Sequence, residues 1–208
     1  MSISTTSVIK FKTPQKIQDF LDQIPFNFEQ KGETYYSPKM VLKNNVAHCF
    51  EGALLACACL RKIGIENYLM DLKVKNLQKD SDHTLCLFKQ NGFWGAISKT
   101  NHSVLRYRDP IYKTYRELAM TYFHEYFLDN GEKTLKSFSK PFDIWRKFGQ
   151  QWIEREDDLD EIAEALDRSP HLDFIPKQNL KYIRKAGPTE VHGAKITEWP
   201  RKPKSAII

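Results

Sequence analysis

The 208-residue chain lacks any apolar run approaching the roughly 18 residues that a membrane-spanning helix needs. Its opening stretch, MSISTTSVIKFKTPQ, has no basic start followed by an apolar segment, which is the pattern of a secretory signal. Internal repeats and low-complexity runs are also absent, which argues against a repeat architecture. We therefore expect a cytoplasmic protein with no membrane partner.

Cysteine is scarce, with only Cys49, Cys57, Cys59 and Cys86 in the chain. On a helix, Cys57 and Cys59 would point about 200° apart, so they should not pair. No CxxC motif exists, and the adjacent His48 and Cys49 cannot easily ligate one ion together. The sequence predicts neither a disulfide scaffold nor a metal site nor a cofactor, in keeping with a reducing cytoplasm.

Hydrophobic residues make up 41% of the chain and aromatic residues 12%, which is enough for a substantial core. The net charge of +6 is unevenly distributed: residues 154–167 carry eight acidic side chains beside Arg155, whereas residues 181–208 carry seven Lys or Arg beside two Glu. We predict a domain over 1–168 and an extended basic arm over 169–208. Such an arm can bind nucleic acid, but basic tails are more often simply solvated, so nucleic-acid binding is the weakest functional alternative.

Periodicity and turn residues predict an α+β fold. The predicted helices lie at about 14–22, 47–62, 112–128 and 156–168, and a short helical turn can follow Ser37-Pro38. The predicted strands lie at about 65–74, 82–89, 93–98 and 104–108. Gln90-Asn91-Gly92 is typical of a hairpin turn between the second and third strands. Residues 132–152 are rich in aromatic side chains but show no regular pattern.

Cys49 lies at the predicted start of the helix over 47–62. Its helical neighbours at i+3, i+4 and i+7 are Gly52, Ala53 and Ala56, so this face carries little side chain and another element can pack close to it. The partial positive charge at a helix N-terminus stabilises a thiolate and lowers the thiol pKa from about 8.5. Cys49 is therefore a candidate nucleophile, and the alternative is a buried structural thiol.

His83 opens the predicted strand DHTLCLF, whose two faces are both largely apolar. A histidine on such a buried strand needs a partner for each ring nitrogen. Cys49 would satisfy one nitrogen, and an acceptor at or after the end of the next strand would satisfy the other and set the tautomer. Ser98, Asn101 and Asp109 are the candidates for this acceptor.

Several motifs follow one another in the chain: a loop containing SPKMVL, a cysteine followed by small residues, LRKIGI, a strand, a histidine at a strand start and a tryptophan on the partner strand. Their order and spacing resemble the transglutaminase-like superfamily of Cys-His-Asp enzymes. The resembling core covers about 35–98, and the segment KTNHSVLRYRDPIYKTYRELAMTYFHEY is similar to an uncharacterised bacterial branch of that superfamily. The resemblance implies a papain-like core in which the cysteine helix packs on a small antiparallel sheet, with extra C-terminal helices. It also implies Cys49 as the nucleophile and His83 as the base.

The superfamily usually places Asp four residues after the tryptophan, and here Ser98 stands four residues after Trp94. Alignment therefore favours Ser98 as the third member of the site. Chemistry favours Asn101, because papain-like enzymes use an amide there, and Asp109 is a further alternative. The resemblance also implies that Trp94 lines the substrate cleft, which His102 could line as well.

The sequence thus predicts a cysteine-dependent enzyme that cleaves or transfers amide bonds of a protein, peptide or other amide substrate. The alternative is a catalytically inactive binding or scaffolding protein that keeps the fold, which the serine at the usual aspartate position favours. The sequence indicates neither the acyl acceptor nor the oligomeric state.

Overall fold

A computed structural model describes residues 11–30 and 32–200 of the chain. Its helices are α1 (Pro14–Gln23), α2 (Pro38–Asn44), α3 (Cys49–Lys62), α4 (Tyr115–Phe123), α5 (Ile144–Phe148), α6 (Asp160–Asp167) and α7 (Pro188–Ala194). Its strands are β1 (Asn67–Val74), β2 (His83–Gln90), β3 (Phe93–Ile97), β4 (Arg108–Tyr112), β5 (Leu135–Ser139) and β6 (His171–Asp173). The predicted α+β class is confirmed. None of the described helices has the length and apolar character needed to cross a bilayer.

The helices begin where capping residues predict them to begin. Thr13 accepts a hydrogen bond from the backbone N–H of Lys16 at 3.4 Å, and Ser37 accepts one from Met40 at 3.2 Å, each followed by a proline in the first turn. The short helical turn expected after Ser37-Pro38 is the seven-residue helix α2. Helix α3 ends just before Gly64, which adopts a φ of +75°.

The six strands form one antiparallel sheet in the order β4-β3-β2-β1-β5-β6. Gln90 pairs with Phe93, so Asn91 and Gly92 form the two-residue turn between β2 and β3. Both turn residues have positive φ, as this tight hairpin requires, and the predicted hairpin is confirmed.

Strand β2 is buried on both faces of the sheet. Helix α3 packs over β1 and β2 on one face, where Cys86 and Phe88 join its core, while α4 packs against β3 and β4 on the other face. Leu85 and Leu87 belong to a second hydrophobic core, which lies on the face of the sheet that α4 covers. Because side chains alternate along a strand, both apolar sets of β2 are covered, as its sequence predicts.

Two predicted elements differ from the structure. The strand predicted at 104–108 is found slightly later in the chain as β4, which contains Asp109-Pro110. Proline lacks the N–H that a central strand must donate, but β4 is the edge of the sheet and tolerates it. The irregular stretch 132–152 contains β5, which pairs with β1 from the opposite side to β2.

The predicted extended arm over 169–208 is structured as far as it is described. Strand β6 pairs with β5, and Phe174 is almost completely buried, with its ring centroid 4.9 Å from that of Phe138. Residues 169–174 therefore complete the sheet and the second core. A 3-10 helix over Lys177–Tyr182 and helix α7 follow. Residues 201–208 of the predicted arm and 1–10 of the predicted domain lie outside the described residues.

Candidate active site

The candidate catalytic residues meet at one end of the sheet. His83 is the first residue of β2, and Ser98 directly follows β3, which runs antiparallel to β2. The start of one strand and the end of its antiparallel neighbour lie side by side, which brings His83 Nε2 to 2.8 Å from Ser98 Oγ. Helix α3 packs on β2 and begins with Cys49 at this same end.

A cleft of about 1100 Å³ opens at this end of the sheet. Its walls come from residues within 26–35, 48–50, 71–84, 99–105, 125–129, 160–168 and 191–195. Cys49 and His83 both line it, whereas Ser98 is completely buried behind His83. The nucleophile and the base predicted from the sequence therefore face one common space.

Cys49 is chemically distinct from the other cysteines. It is partly exposed, whereas Cys57, Cys59 and Cys86 are buried. Burial alone would raise the pKa of Cys49, but its interactions with His48 and His83 outweigh burial and lower the pKa to about 5. Burial raises the pKa of Cys59 to about 12. At neutral pH, Cys49 is therefore a thiolate and the buried Cys59 remains a thiol.

The hydrogen bonds of Ser98 set the tautomer of His83. Ser98 Oγ donates its only proton to the carbonyl oxygen of Leu105 at 2.6 Å. Its lone pairs must then accept from His83 Nε2–H at 2.8 Å, so Nε2 carries the proton of the neutral ring. This leaves His83 Nδ1 as the nitrogen that can exchange a proton with the Cys49 thiol.

The main chain of Ser98 is held by Gln18 of α1. Ser98 N–H donates to Gln18 Oε1 at 3.0 Å, and Gln18 Nε2 donates to Ser98 O at 2.9 Å. Gln18 also donates to Asp22 at 2.8 Å. Gln18 is not among the site residues predicted from the sequence, although it is a polar side chain on the buried face of α1 that also carries Ile17 and Leu21.

His48 is the N-cap of α3 and the second imidazole near the sulfur. Its Nε2–H donates to Thr34 O at 2.8 Å, and its Nδ1 accepts from Phe50 N–H at 3.3 Å when the ring is neutral. Burial lowers the pKa of His48, but its interactions with the Cys49 thiolate, the Glu51 carboxylate and the Thr34 carbonyl outweigh burial and raise the pKa to about 9. Protonation gives up the long Phe50 bond and places a positive charge beside the sulfur.

Glu51 is a completely buried carboxylate that anchors the loop before α2 to the start of α3. It accepts hydrogen bonds from Thr34 Oγ1 at 2.8 Å, His48 N–H at 2.9 Å and Tyr36 N–H at 3.1 Å, and from the Asn27 amide at 3.2 Å. Glu51 is likewise not among the site residues predicted from the sequence. Its place three residues after the N-cap is the signal that could have identified it, because this spacing is that of a capping box.

Asn101 does not take the position beside His83 that chemistry favours. Its amide holds the main chain of Trp199 instead: Trp199 N–H donates to Asn101 Oδ1 at 2.7 Å, and Asn101 Nδ2 donates to Trp199 O at 3.0 Å. Asp109 is exposed on β4, outside the cleft lining. His102 does line the cleft, and its Nδ1 lies 3.1 Å from Ala194 O. Of the three candidate acceptors, Ser98 is the one that contacts His83.

Trp94 is not part of the cleft lining, contrary to what the resemblance implies. It lies near the start of β3, and Ser98 follows the other end of that strand, about 13 Å away for four extended residues. Its ring packs against Tyr68 at 5.9 Å and Tyr115 at 6.0 Å between ring centroids, with Lys89 Nζ 4.6 Å from its own centroid. Trp94 therefore belongs to the second core.

The small residues of α3 make room for Lys99. A Cβ added to Gly52 would lie 2.3 Å from Lys99 Cβ. The Lys99 ammonium is buried and donates to the carbonyl oxygens of Leu21, at 2.9 Å, and Ile24, at the C-terminus of α1. Burial lowers the pKa of Lys99 to about 8. This lysine therefore joins α1 to the loop that carries Ser98.

One group of carboxylates among the described residues could hold a metal ion. It consists of Asp71, Asp82 and Asp167, whose carboxylate oxygens all lie within 4.8 Å of one another. Two of the three already have cationic or ring partners. Lys73 Nζ lies 2.7 Å from Asp167, and His171 Nε2 lies 3.1 Å from Asp71. The cluster is thus at least partly neutralised by the protein itself.

The arrangement is suited to nucleophilic chemistry on a carbonyl carbon. A thiolate beside an imidazole can attack such a carbon, and the imidazole can carry the proton that the leaving group needs. The start of α3 also directs backbone N–H groups toward the space next to the sulfur, where they can stabilise a negative oxygen. A scan against models of known protein families finds no match for this chain. A search of curated proteins likewise finds no match.

Proposed function

We propose that this protein is a cysteine-dependent enzyme that cleaves or transfers amide bonds. Cys49 is the nucleophile, His83 the acid and base, and Ser98 the residue that orients His83. One observation carries the proposal: a partly exposed thiol with a pKa of about 5 shares a cleft with a histidine whose far nitrogen is held by a hydroxyl 2.8 Å away.

In the first half-reaction, His83 Nδ1 holds the proton taken from the Cys49 thiol, the Cys49 sulfur bonds to the substrate carbonyl carbon, and the carbonyl π electrons move to oxygen. Backbone N–H groups in the first turn of α3 stabilise that oxyanion. The C–N bond then breaks, and the amine leaves with a proton supplied by His83, which gives a thioester on Cys49. In the second half-reaction, water or another amine gives a proton to His83 and attacks the thioester, and sulfur leaves as the thiolate.

The arrangement of elements supports a transglutaminase-like core. The cysteine helix α3 packs on β1 and β2 of an antiparallel sheet, and the histidine strand follows it in the chain. Ser98 stands four residues after Trp94, where that superfamily places aspartate, and it makes the contact with His83 expected of that aspartate. We therefore propose membership of this superfamily, with serine in place of aspartate.

A second candidate function is a binding protein that keeps this fold without catalysis. The neutral hydroxyl of Ser98 favours it, because a hydroxyl stabilises an imidazolium less than a carboxylate does. The two functions predict different outcomes for a single acylation experiment.

The test is to incubate the protein with p-nitrophenyl acetate and follow both nitrophenol release and the mass of the Cys49 peptide. An enzyme forms an acetyl thioester on Cys49 and then loses it by hydrolysis, faster with added glycinamide if it transfers acyl groups. We expect C49A to form no thioester and H83A to acylate about 10² times more slowly. The C59A variant serves as control and should behave as wild type. A thioester that never turns over, or no thioester at all, supports the binding protein.

A further inference from the structure

The cleft carries a charge opposite to that of the chain. The whole protein has a net charge of +6, yet ten carboxylates line the cleft together with three Lys or Arg side chains. A cleft lined by one sign of charge concentrates its field and attracts ligands of the opposite sign. The acidic lining is therefore a property of this site and not of the protein surface in general.

The three cationic side chains of the lining already have partners. Lys99 donates to two carbonyl groups at the end of α1. Arg168 contacts Glu164 at 2.8 Å, and Lys195 contacts Asp129 at 3.3 Å. Further carboxylates of the lining also have partners: Lys73 pairs with Asp167, Arg108 with Glu125, His171 with Asp71, and His48 lies 3.7 Å from Glu29. Among the described residues, the lining carboxylates without an ion pair are Glu33, Asp80, Asp82 and Asp160.

One group of these carboxylates lies close to the nucleophile. Tyr126 lines the cleft, and after burial the causes that raise its pKa are the charges of Asp80, Cys49, Asp82 and Asp71. The Tyr126 hydroxyl also donates a hydrogen bond to the carbonyl oxygen of Ser81, which stands between Asp80 and Asp82 in the chain. Asp82 directly precedes His83 in the chain, and Asp80 lies three residues before His83. A cation held by this group would lie next to the start of β2, in the same cleft as the reacting sulfur.

The second group lies on another wall. Tyr35 packs against Phe50, the residue after Cys49, with ring centroids 5.8 Å apart. After burial, the nearby charges of Glu33, Glu29 and Asp160 raise the pKa of Tyr35. The cleft thus has two acidic regions, one just before β2 and one beside Tyr35, and two such regions suit a substrate with more than one cationic group.

Aromatic side chains accompany both groups and point independently to the same kind of ligand. Phe26 and Phe28 lie with ring centroids 5.1 Å apart in the lining, to which Tyr35 also belongs. Tyr126 and Phe127 line the cleft as well. Aromatic faces next to carboxylates suit Lys and Arg side chains, whose stems pack on the rings while the cationic heads reach the carboxylates.

We propose that the cleft binds a basic peptide segment, with one Lys or Arg side chain held by Asp80 and Asp82 next to the start of β2 and another held by Glu33 and Asp160. This inference rests on the proposed function, because it assigns the substrate class of the same site. A polyamine offers the same ammonium chemistry in a smaller ligand, and the cleft volume of about 1100 Å³ favours the peptide.

The test measures how ligands protect Cys49 from iodoacetamide at low ionic strength. The probes are acetyl-Lys-Ala-Gln-Lys-amide, the same peptide with norleucine for both lysines, spermidine, and MgCl₂ alone. We expect the lysine peptide to slow alkylation at least about fivefold more than the norleucine peptide, and high salt to remove the difference. The D80N/D82N double variant should lose most of that protection. The control E156Q, which removes an exposed carboxylate outside the cleft lining, should keep it.

A second measurement uses wild-type protein and no ligand, so it does not depend on how the variants fold. Methanethiosulfonates that differ only in carrying a cationic, neutral or anionic group transfer their thioalkyl group to the Cys49 thiolate and release a sulfinate. We expect the cationic reagent to react about 10 to 10² times faster than the anionic one, after correction for their rates with free cysteine.

The outcomes separate this inference from the proposed function. If Cys49 is reactive but the two peptides protect equally, the basic-peptide inference is overturned and the cysteine enzyme stands. An inert Cys49 overturns both. Protection by spermidine without protection by the lysine peptide assigns the cleft to polyamines, and protection by Mg²⁺ alone assigns it to a metal ion; either result overturns the peptide.

Discussion

Among single side chains, Cys49 is the one whose chemistry depends most on its neighbours. Two imidazoles reach it from different directions: His48 precedes it in the chain, and His83 comes from the sheet. Of the two rings, only His83 has its other nitrogen, Nε2, hydrogen-bonded to a hydroxyl, that of Ser98. In the proposed mechanism the two rings therefore have different roles: His83 moves protons, whereas His48 supplies positive charge and caps α3.

We predict that H48N raises the pKa of Cys49 by about one to two units, because an imidazolium beside the sulfur is lost while asparagine still caps the helix. The rate of alkylation by iodoacetamide follows the thiolate fraction. For wild type it should be half-maximal near pH 5 and fall as the pH drops through that value. The H48N profile should shift to higher pH, whereas H102N serves as control and should not shift. Coincident profiles for H48N and wild type would mean that His48 does not tune the thiol.

A second prediction separates Ser98 from Asn101. S98A removes the acceptor of His83 Nε2–H, so the ring loses its fixed tautomer, and we expect acylation of Cys49 to slow by about 10²-fold. N101A removes the two contacts with Trp199 and should leave the acylation rate within about twofold of wild type. Burst kinetics with p-nitrophenyl acetate measure both rates, and circular dichroism checks that both variants fold. A larger loss in N101A than in S98A would reverse the assignment.

Sequence reasoning finds those site residues that local chemistry marks. Cys49 is identifiable from its place at a helix start, and His83 from its place on an apolar strand. The choice between Ser98 and Asn101 requires knowing where β3 ends and which way the chain turns, and no local pattern states that. Gln18 lies 80 residues from Ser98 in the chain, so their contact can be seen only in the folded protein.

Among the helices, α3 is the one whose packing the site depends on most. Gly52 lies one turn after Cys49 and touches Lys99, which follows Ser98. Lys99 is completely buried and tied to the end of α1, so it cannot move away from α3. A change in the distance between α3 and this loop would therefore shift Cys49 relative to His83 and Ser98.

We predict that G52A lowers the free energy of unfolding by about 1–3 kcal/mol, because the new methyl group would lie 2.3 Å from Lys99 Cβ. The matched control is G193A in α7, where an added Cβ has no described atom within 4 Å. We expect this control to change stability by less than about 1 kcal/mol, in the stabilising direction. Urea unfolding monitored by tryptophan fluorescence measures both variants. Equal stability of G52A and wild type would show that Lys99 can move.

The same contrast between local and distant signals explains which elements the sequence predicts. Helices α1 and α3 and the β2–β3 hairpin carry their own caps and turn residues, and the structure has each of them near its predicted bounds. Strand β5 lies among aromatic residues with no clear alternation, and its partner β1 is more than 60 residues away in the chain. Its strand conformation depends on that pairing, so the local sequence does not reveal it.

In the chain as a whole, the region after α6 has two parts with different roles. Residues 169–174 add β6 to the sheet and place Phe174 in the second core. Residues 187–200 lie along the loop after β3, held by Ser103 N–H to Ile196 O at 2.9 Å, by Asn101 and by the ion pair of Arg106 with Glu198 at 3.0 Å. The first part supports the fold, whereas the second forms one wall of the cleft.

Two truncations test this division. A chain ending at Arg168 loses Phe174 and β6, and we expect it to lose about 3–5 kcal/mol of stability. A chain ending at Ala186 loses mainly surface contacts and the ion pairs that Glu190, Lys195 and Glu198 make, so it should lose less than about 2 kcal/mol. It also loses the cleft wall formed by Val191, Ala194 and Lys195, so a bulky maleimide should reach Cys49 several times faster than in wild type.

Urea unfolding and maleimide labelling of both truncated chains are compared with those of wild type. The control reagent is iodoacetamide, because it is small enough to enter the intact cleft. The chain ending at Ala186 should react with iodoacetamide at the wild-type rate, because Cys49, His48 and His83 are untouched. If both truncations lose the same stability, residues 169–200 form one cooperative unit and the division is wrong. If maleimide labelling does not accelerate, residues 187–200 do not limit access to the sulfur.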